Sequence, residues 1–210
     1  MAIKTEATAG VAVEFGRYTA QTIAIDPVDP KVSRHALTVT ASRAGWHIEP
    51  HNRNGVVLHL WAQPPRPLTR PETVLWPRIG CLMRGIDGGE HWILLDDTEA
   101  YTAPGSRATG TTATTDLPPP LTEAQLEAVR AVFDEILAWP PRVGARPRTL
   151  DAAAHRLKRS RSAIDLRLRE VRKRAEGLGL RREPAIGDPE YIYVLARAGY
   201  LTPNATDPDS

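Results

Sequence analysis

Three short segments in the first half of the chain carry side chains suited to holding an anion. They are Gly16-Arg17, Val32-Ser33-Arg34-His35 and Asn52-Arg53-Asn54-Gly55. Guanidinium groups bind phosphate oxygens through charge-assisted hydrogen bonds, a hydroxyl can donate to the same oxygens, and side-chain amides pair with a peptide main chain. The set therefore predicts a site for a phosphate group and the backbone beside it. Asn54-Gly55 has a simpler interpretation as a hairpin turn.

These segments lie between short apolar runs, many of them alternating, which predict β-strands. The runs cover residues 11–15, 21–26, 36–40, 45–49, 55–61, 73–76, 79–84 and 91–97. Turn residues separate them, including Asp26-Pro27, the Pro64–Pro71 stretch and Asp87-Gly88-Gly89. Many short strands with no helix between them favour an all-β antiparallel sandwich. The loops of such a scaffold usually present its binding groups.

The ordered set of motifs resembles the forkhead-associated (FHA) domains, which bind phosphothreonine peptides on a β-sandwich. The family pattern is Gly-Arg, then Ser-Arg-x-His opening a strand, then a Trp-containing strand, then an Asn-Gly turn. This chain has Gly16-Arg17, Ser33-Arg34-His35, Trp46 and Asn54-Gly55 in that order, within residues 5–97. The resemblance implies an FHA-like fold and a phosphothreonine ligand.

The resemblance also implies a phosphopeptide-binding role for five residues. Arg17 and Ser33 match phosphate-contacting positions, and Arg34 matches a position that often touches the peptide. Asn54 matches the residue that hydrogen-bonds the peptide main chain. Arg53 stands where the family usually has Thr or Ser, so it could add a phosphate contact or block the pocket.

Three further residues match structural positions of the family. They are Gly16, Gly55 and His35, the last of which braces the loops rather than meeting the ligand. Ser-Arg-His is one residue shorter here than the family motif. Either Ser33 or His35 is therefore expected to be displaced from its usual place.

The second half of the chain has a helical pattern. Thr122 and Gln125 form a predicted capping box before apolar residues at helical spacing, and Pro140-Pro141 ends that run. Thr149 can cap a second helix through Leu157, and Ser160 a third through about Ala175. A last helix is predicted over residues 189–198. We expect an all-α bundle containing these four helices.

The second and third helices are separated by three residues, Lys158 to Ser160, the geometry of a helix-turn-helix. Ala154, Leu157, Ser160 and Ile164 resemble the matching positions of bacterial regulators of the sigma-region-4 or response-regulator type. The net charge of +2 conceals a local surplus, because residues 142–182 hold 14 Lys or Arg against four acidic residues. A surplus of ten is typical of a phosphate-backbone-binding surface, although a solvated basic helix would also carry it.

The predicted DNA-binding residues lie in the turn and along the third helix. They are Lys158, Arg159, Arg161, Ser162, Asp165, Arg167, Arg169, Arg172 and Lys173.

These patterns predict four regions. An FHA-like sandwich occupies residues 1–97, a Thr- and Pro-rich linker 98–120, a helix-turn-helix domain 121–202 and a disordered tail 203–210.

Several other classes of protein are not expected. A single Cys excludes a disulfide framework and a four-cysteine zinc site, and no phosphate loop or nucleophile elbow is present. The six His residues have no metal-ligand spacing. We therefore expect no catalytic residue, no metal and no cofactor. The first residues have no signal-peptide pattern, and no apolar run in the sequence is long enough to span a membrane. These features predict a cytoplasmic protein.

The predicted function is a phosphothreonine-binding, DNA-binding transcriptional regulator in bacterial Ser/Thr kinase signalling. Its partners would be a phosphothreonine-containing protein and double-stranded DNA. The alternative is a protein-interaction adaptor with a degenerate FHA domain and basic docking helices. A third hypothesis is that threonines of the chain's own linker, at 109, 111, 112, 114 and 115, become phosphorylated and occupy the pocket. The oligomeric state stays open, a homodimer included.

Overall fold

The computed structural model describes residues 6–17, 23–24, 28–97, 119–180 and 182–203. The chain divides into two compact units. The first comprises residues 1–60 and 64–101, and the second residues 61–63 and 102–210. Most of the predicted linker, residues 98–118, and tail residues 204–210 lie outside the described ranges.

The first unit contains two sheets, in the strand orders β2-β1-β3-β4-β7 and β6-β5-β8-β9. The strands pair antiparallel except for β1 with β2, which are parallel. The strands are β1 (Ala12–Gly16), β2 (Ile23–Ala24), β3 (Leu37–Ser42), β4 (Gly45–Pro50), β5 (Val56–Leu60), β6 (Arg66–Leu68), β7 (Glu72–Val74), β8 (Arg78–Arg84) and β9 (Glu90–Asp96).

Strand β6 differs from the sequence prediction, which has only a loop over Pro64–Pro71. Arg66–Leu68 pairs with β5, and Pro67 lies opposite Val57. A proline is tolerated there because β6 is an edge strand of its sheet, where the missing N–H is not needed by a second neighbour. The prolines of this stretch indicated only a loop, so β6 was not predicted.

Both sheets contribute to one buried core. Leu37, Val39 and Ile48 come from the first sheet, and Leu58 and Cys81 come from the second. Period-two alternation in β3 places Leu37 and Val39 on the same face, where both are buried. Burial raises the pKa of the Cys81 thiol to about 12, so Cys81 is a core residue and not a reactive thiolate.

The second unit contains four helices: α1 (Glu123–Leu137), α2 (Leu150–Leu157), α3 (Arg161–Gly177) and α4 (Glu190–Arg197). The three predicted caps are confirmed. Thr122 accepts the N–H of Gln125, and the Gln125 side chain accepts the N–H of Thr122 in return. Thr149 and Ser160 accept the N–H groups of the residues three positions later.

Helix α3 packs against each of the other three helices. Its predicted stripe, Ile164, Leu168, Val171 and Ala175, is fully buried. Full burial of a large aliphatic side chain contributes about 1.5–3 kcal/mol, so this stripe dominates the packing of a helix whose other faces are charged.

The second unit also includes a non-helical segment, Trp61–Gln63. The buried indole N–H of Trp61 donates to the carbonyl oxygen of Leu137 at 2.9 Å. The Gln63 amide donates to the carbonyl oxygen of Tyr193 at 2.9 Å and accepts from Arg197 at 3.1 Å. A bundle made only of the predicted helices therefore does not describe this unit.

No helix among the described residues is both long and apolar enough to cross a membrane.

Candidate functional site

A depression of about 590 Å³ lies on the first unit, beside the end of β1 and the connections that precede β3 and β5. All five predicted phosphopeptide-binding residues line it, although they are spread over 38 positions of the sequence. Its lining is Arg17, Pro30, Lys31, Val32, Ser33, Arg34, His35, His51, Arg53 and Asn54.

Two asparagine side chains cross-link the connections before β3 and β5. Asn52 is buried, its Oδ1 accepts the N–H of Ser33 at 3.0 Å, and its Nδ2 donates to the Gly55 carbonyl oxygen at 2.8 Å. The Asn54 amide donates to the Lys31 carbonyl oxygen at 2.5 Å. Because polar groups with little exposure require such partners, these bonds fix the two connections against each other.

Ser33 is a half-buried residue of the lining. Its Oγ accepts the backbone N–H of Arg53 at 3.0 Å, which leaves the hydroxyl hydrogen available for donation to a ligand. Its carbonyl oxygen accepts the N–H of Arg17 at 3.0 Å, and the Arg17 Nη1 donates to the Pro30 carbonyl oxygen at 3.3 Å. The Arg17 guanidinium is thereby held against the connection before β3.

Gly16 permits the close approach of β1 to the motif segment. A Cβ atom at this position would lie 1.8 Å from the carbonyl oxygen of Arg34, so any other residue would displace one of the two chains. Gly55 has a φ of +81°, which fits its predicted place in a turn.

The connection before β3 is anchored on its inner side by Asp29, which is buried. Its Oδ2 accepts the Ile86 N–H at 2.9 Å and lies 3.0 Å from the His91 Nε2, while its Oδ1 accepts the Lys31 N–H at 2.8 Å. The hydrogen bond from His91 lowers the pKa of Asp29, the two backbone N–H groups add to this shift, and burial opposes it. The carboxylate therefore fixes the chain just before the depression.

The lining carries four permanent cations, Arg17, Lys31, Arg34 and Arg53, and no carboxylate. None of the four forms an ion pair with any residue that the structure describes. Asp29, adjacent in sequence, directs its carboxylate to Ile86 and His91 instead. The depression is consequently a strongly electropositive surface.

Two histidines border the depression. His35 and His51 have ring centroids 4.3 Å apart, and the Nε2 of each lies within hydrogen-bonding distance of the Thr38 hydroxyl, at 2.8 and 3.2 Å. His35 thus joins the two connections through His51, as a bracing residue would. It is also exposed and lines the depression, so it can meet a ligand as well.

Sequence reasoning missed Lys31, His51 and the anchor Asp29. Lys31 matches no position of the motif, although a cation two residues before Ser33 is a signal that could have identified it. Asp29 carried no such signal, since its partners Ile86 and His91 are 57 and 62 positions away.

A second candidate surface is the turn between α2 and α3. Lys158 has a φ of 51°, the left-handed conformation that a glycine commonly supplies at this point. Three residues thus reverse the chain, and Ser160 caps α3. Lys158, Arg159 and Ser162 are exposed, and neither of the two cations forms an ion pair among the described residues.

Most of the other predicted DNA-binding residues are engaged in ion pairs. Arg161 pairs with Asp151, Arg167 with Glu127, Arg169 with Asp165, Arg172 with Glu176 and Glu183, and Lys173 with Glu170. The Arg172 side chain is only 15% exposed and also donates to the Pro184 carbonyl oxygen, so it stabilises the unit. Exposed pairs such as Lys173–Glu170 are weak, about 0–1 kcal/mol, and can be exchanged for a ligand.

Comparison with protein-family models, with curated proteins and with solved structures finds no match to this chain.

The anchoring role of Asp29 predicts a specific dependence of stability on pH. Asp29→Asn should lower the free energy of unfolding at neutral pH. The pKa of Asp29 is lower in the fold than in the unfolded chain, so its contribution is complete above the unfolded pKa of about 3.9. It is lost as the pH falls through the folded pKa. Urea unfolding at stepped pH should therefore show the wild-type advantage shrinking in acid.

Asp87→Asn is the matched control for this comparison. Asp87 is exposed, and its left-handed φ of 53° suits asparagine equally well. The Asp87→Asn variant should have the same free energy of unfolding as the wild type at every pH. A difference between wild type and Asp29→Asn that grows on acidification would contradict the anchoring role.

Proposed function

We propose that the chain is a phosphothreonine-binding transcriptional regulator acting in bacterial Ser/Thr kinase signalling. In this proposal, the first unit is an FHA-like sandwich that binds a phosphothreonine peptide. The turn and α3 of the second unit form a helix-turn-helix that binds DNA.

The observation that carries the proposal is the convergence of Arg17, Ser33, Arg53 and Asn54 on one basic depression. These residues come from three separate parts of the chain. A phosphate dianion accepts several hydrogen bonds and carries a charge of about −1.5 to −2 at neutral pH. Guanidinium groups and a donating serine hydroxyl at one point provide the complementary charge and geometry.

The peptide beside the phosphate would be held by Asn54. Its Nδ2 is bonded to the Lys31 carbonyl oxygen, and its Oδ1 can accept a peptide N–H. Arg53 is exposed and lines the depression, and its backbone N–H is bonded to Ser33. The residue that departs from the family pattern would add a phosphate contact.

Arg17→Ala should weaken phosphothreonine-peptide binding. Loss of a hydrogen bond to a charged group removes about 1.5–3 kcal/mol, which is about tenfold or more in affinity. The measurement is retention of full-length protein on a degenerate peptide library with a fixed central phosphothreonine, compared with the same library carrying threonine, followed by titration of retained peptides.

Arg43→Ala is the matched control, because Arg43 is exposed in the turn at the far end of β3 from the depression. It should bind like the wild type. Equal retention of phosphothreonine and threonine libraries by the wild type would contradict the proposal, as would an equal loss in both variants.

The DNA-binding half of the proposal rests on the turn and on the exposed face of α3. The face opposite the buried stripe carries Ser162, Leu166, Arg169 and Lys173, and Leu166 is 63% exposed. A helix that enters the major groove presents polar and cationic groups to base edges and phosphates, and an apolar side chain can contact a thymine methyl group. Lys158 and Arg159 in the turn would contact phosphates.

Arg159→Ala should weaken binding to any duplex and make its salt dependence shallower. Each neutralised phosphate contributes a slope of about −0.9 in log affinity against log salt, so the slope should change by about one. Fluorescence anisotropy with a random-sequence duplex between about 50 and 200 mM salt measures both quantities. Arg43→Ala should match the wild type. If the wild type binds no duplex at low salt, the adaptor function with basic docking helices replaces this half of the proposal.

A further inference from the structure

We infer that the depression is built for a ligand with a second anionic group beside the phosphothreonine, either an acidic side chain or another phosphorylated residue. This inference rests on the proposed function of the same site. It concerns which phosphopeptides the site selects.

The charge on the lining exceeds that of one phosphate. Arg17, Lys31, Arg34 and Arg53 contribute four positive charges, and the ten lining residues include no carboxylate. One phosphothreonine supplies about −1.5 to −2. A singly phosphorylated peptide would therefore leave about two positive charges unbalanced, and a second anionic group on the ligand would gain further attraction from them.

Lys31 is a lining cation to which the proposed phosphate contact assigns no role. The backbone N–H groups of Arg17 and Arg53 are both bonded to Ser33, through its carbonyl oxygen and its hydroxyl, so these three residues are neighbours in the lining. Lys31 is exposed, its N–H is bonded to Asp29 and its carbonyl oxygen to Asn54. Its backbone is fixed from both sides, while its ammonium group forms no ion pair with any residue that the structure describes.

The surrounding structure keeps this surplus charge in place. Asp29 is the nearest acidic residue in sequence to Lys31, but it is buried on the inner side, bonded to Ile86 and His91, and is not part of the lining. Arg34 is exposed next to Ser33 and its backbone carbonyl is packed against Gly16. Lys31 and Arg34 are thus held beside the phosphate position with no acidic group of their own, which suits a second anion.

The test is a set of phosphothreonine peptides of one host sequence, chosen from those that the full-length protein retains. Each position from three before to three after the phosphothreonine is replaced in turn by Ala, Asp, phosphothreonine or Lys. We expect about tenfold tighter binding for a second acidic or phosphorylated residue at one or two positions, and weaker binding for Lys there. Equal gains at every position would indicate only long-range attraction and would overturn the inference.

Lys31→Ala supplies the second measurement. It should reduce the affinity for the doubly anionic peptide by a larger factor than the affinity for the peptide with one phosphate, whereas Arg43→Ala should change neither. Equal factors for the two peptides would overturn the second-anion site. If peptides with one phosphate bind as tightly as the others, this inference fails and the proposed function stands; if none binds, the proposed function itself fails.

Discussion

The candidate site depends on the two hydrogen bonds that the buried Asn52 side chain forms. They join the Ser33 N–H in the connection before β3 to the Gly55 carbonyl oxygen in the connection before β5, and both connections supply the lining of the depression. Because folding has already ordered these segments, a ligand would not bear the full entropic cost of arranging them. Asn54 and the Ser33 hydroxyl extend the same network, and Asp29 fixes the chain from the inside.

In the helical unit, the buried stripe of α3 holds this helix against the other three helices. The mostly buried Arg172 adds ion pairs that stabilise the unit. Many of the basic residues that give residues 142–182 their surplus are paired with acids, among them Asp134 and Glu127, which lie outside that segment. Lys158 and Arg159 in the turn are among the basic residues of this segment that form no ion pair with a described residue, so fewer cations are unpaired than the residue count suggests.

Sequence patterns were sufficient where the information is local. The caps Thr122, Thr149 and Ser160 and the stripe of α3 were predictable, because helical periodicity and capping are determined within a few residues. The motif residues of the depression were identified by their order along the chain. Asp29 and its partners, Trp61 in the second unit and strand β6 were not, since each depends on residues brought together only by the fold.

The central claim is that the depression binds a phosphothreonine group through the connections that Asn52 holds together. The most direct measurement is the change in backbone amide NMR signals of the full-length protein on titration with N-acetyl-phosphothreonine amide, with N-acetyl-threonine amide and sulfate as controls. We expect shifts concentrated at Arg17, Ser33, Arg53 and Asn54 with the phosphorylated compound alone. Absence of shifts there, or the same shifts with sulfate, would contradict the account.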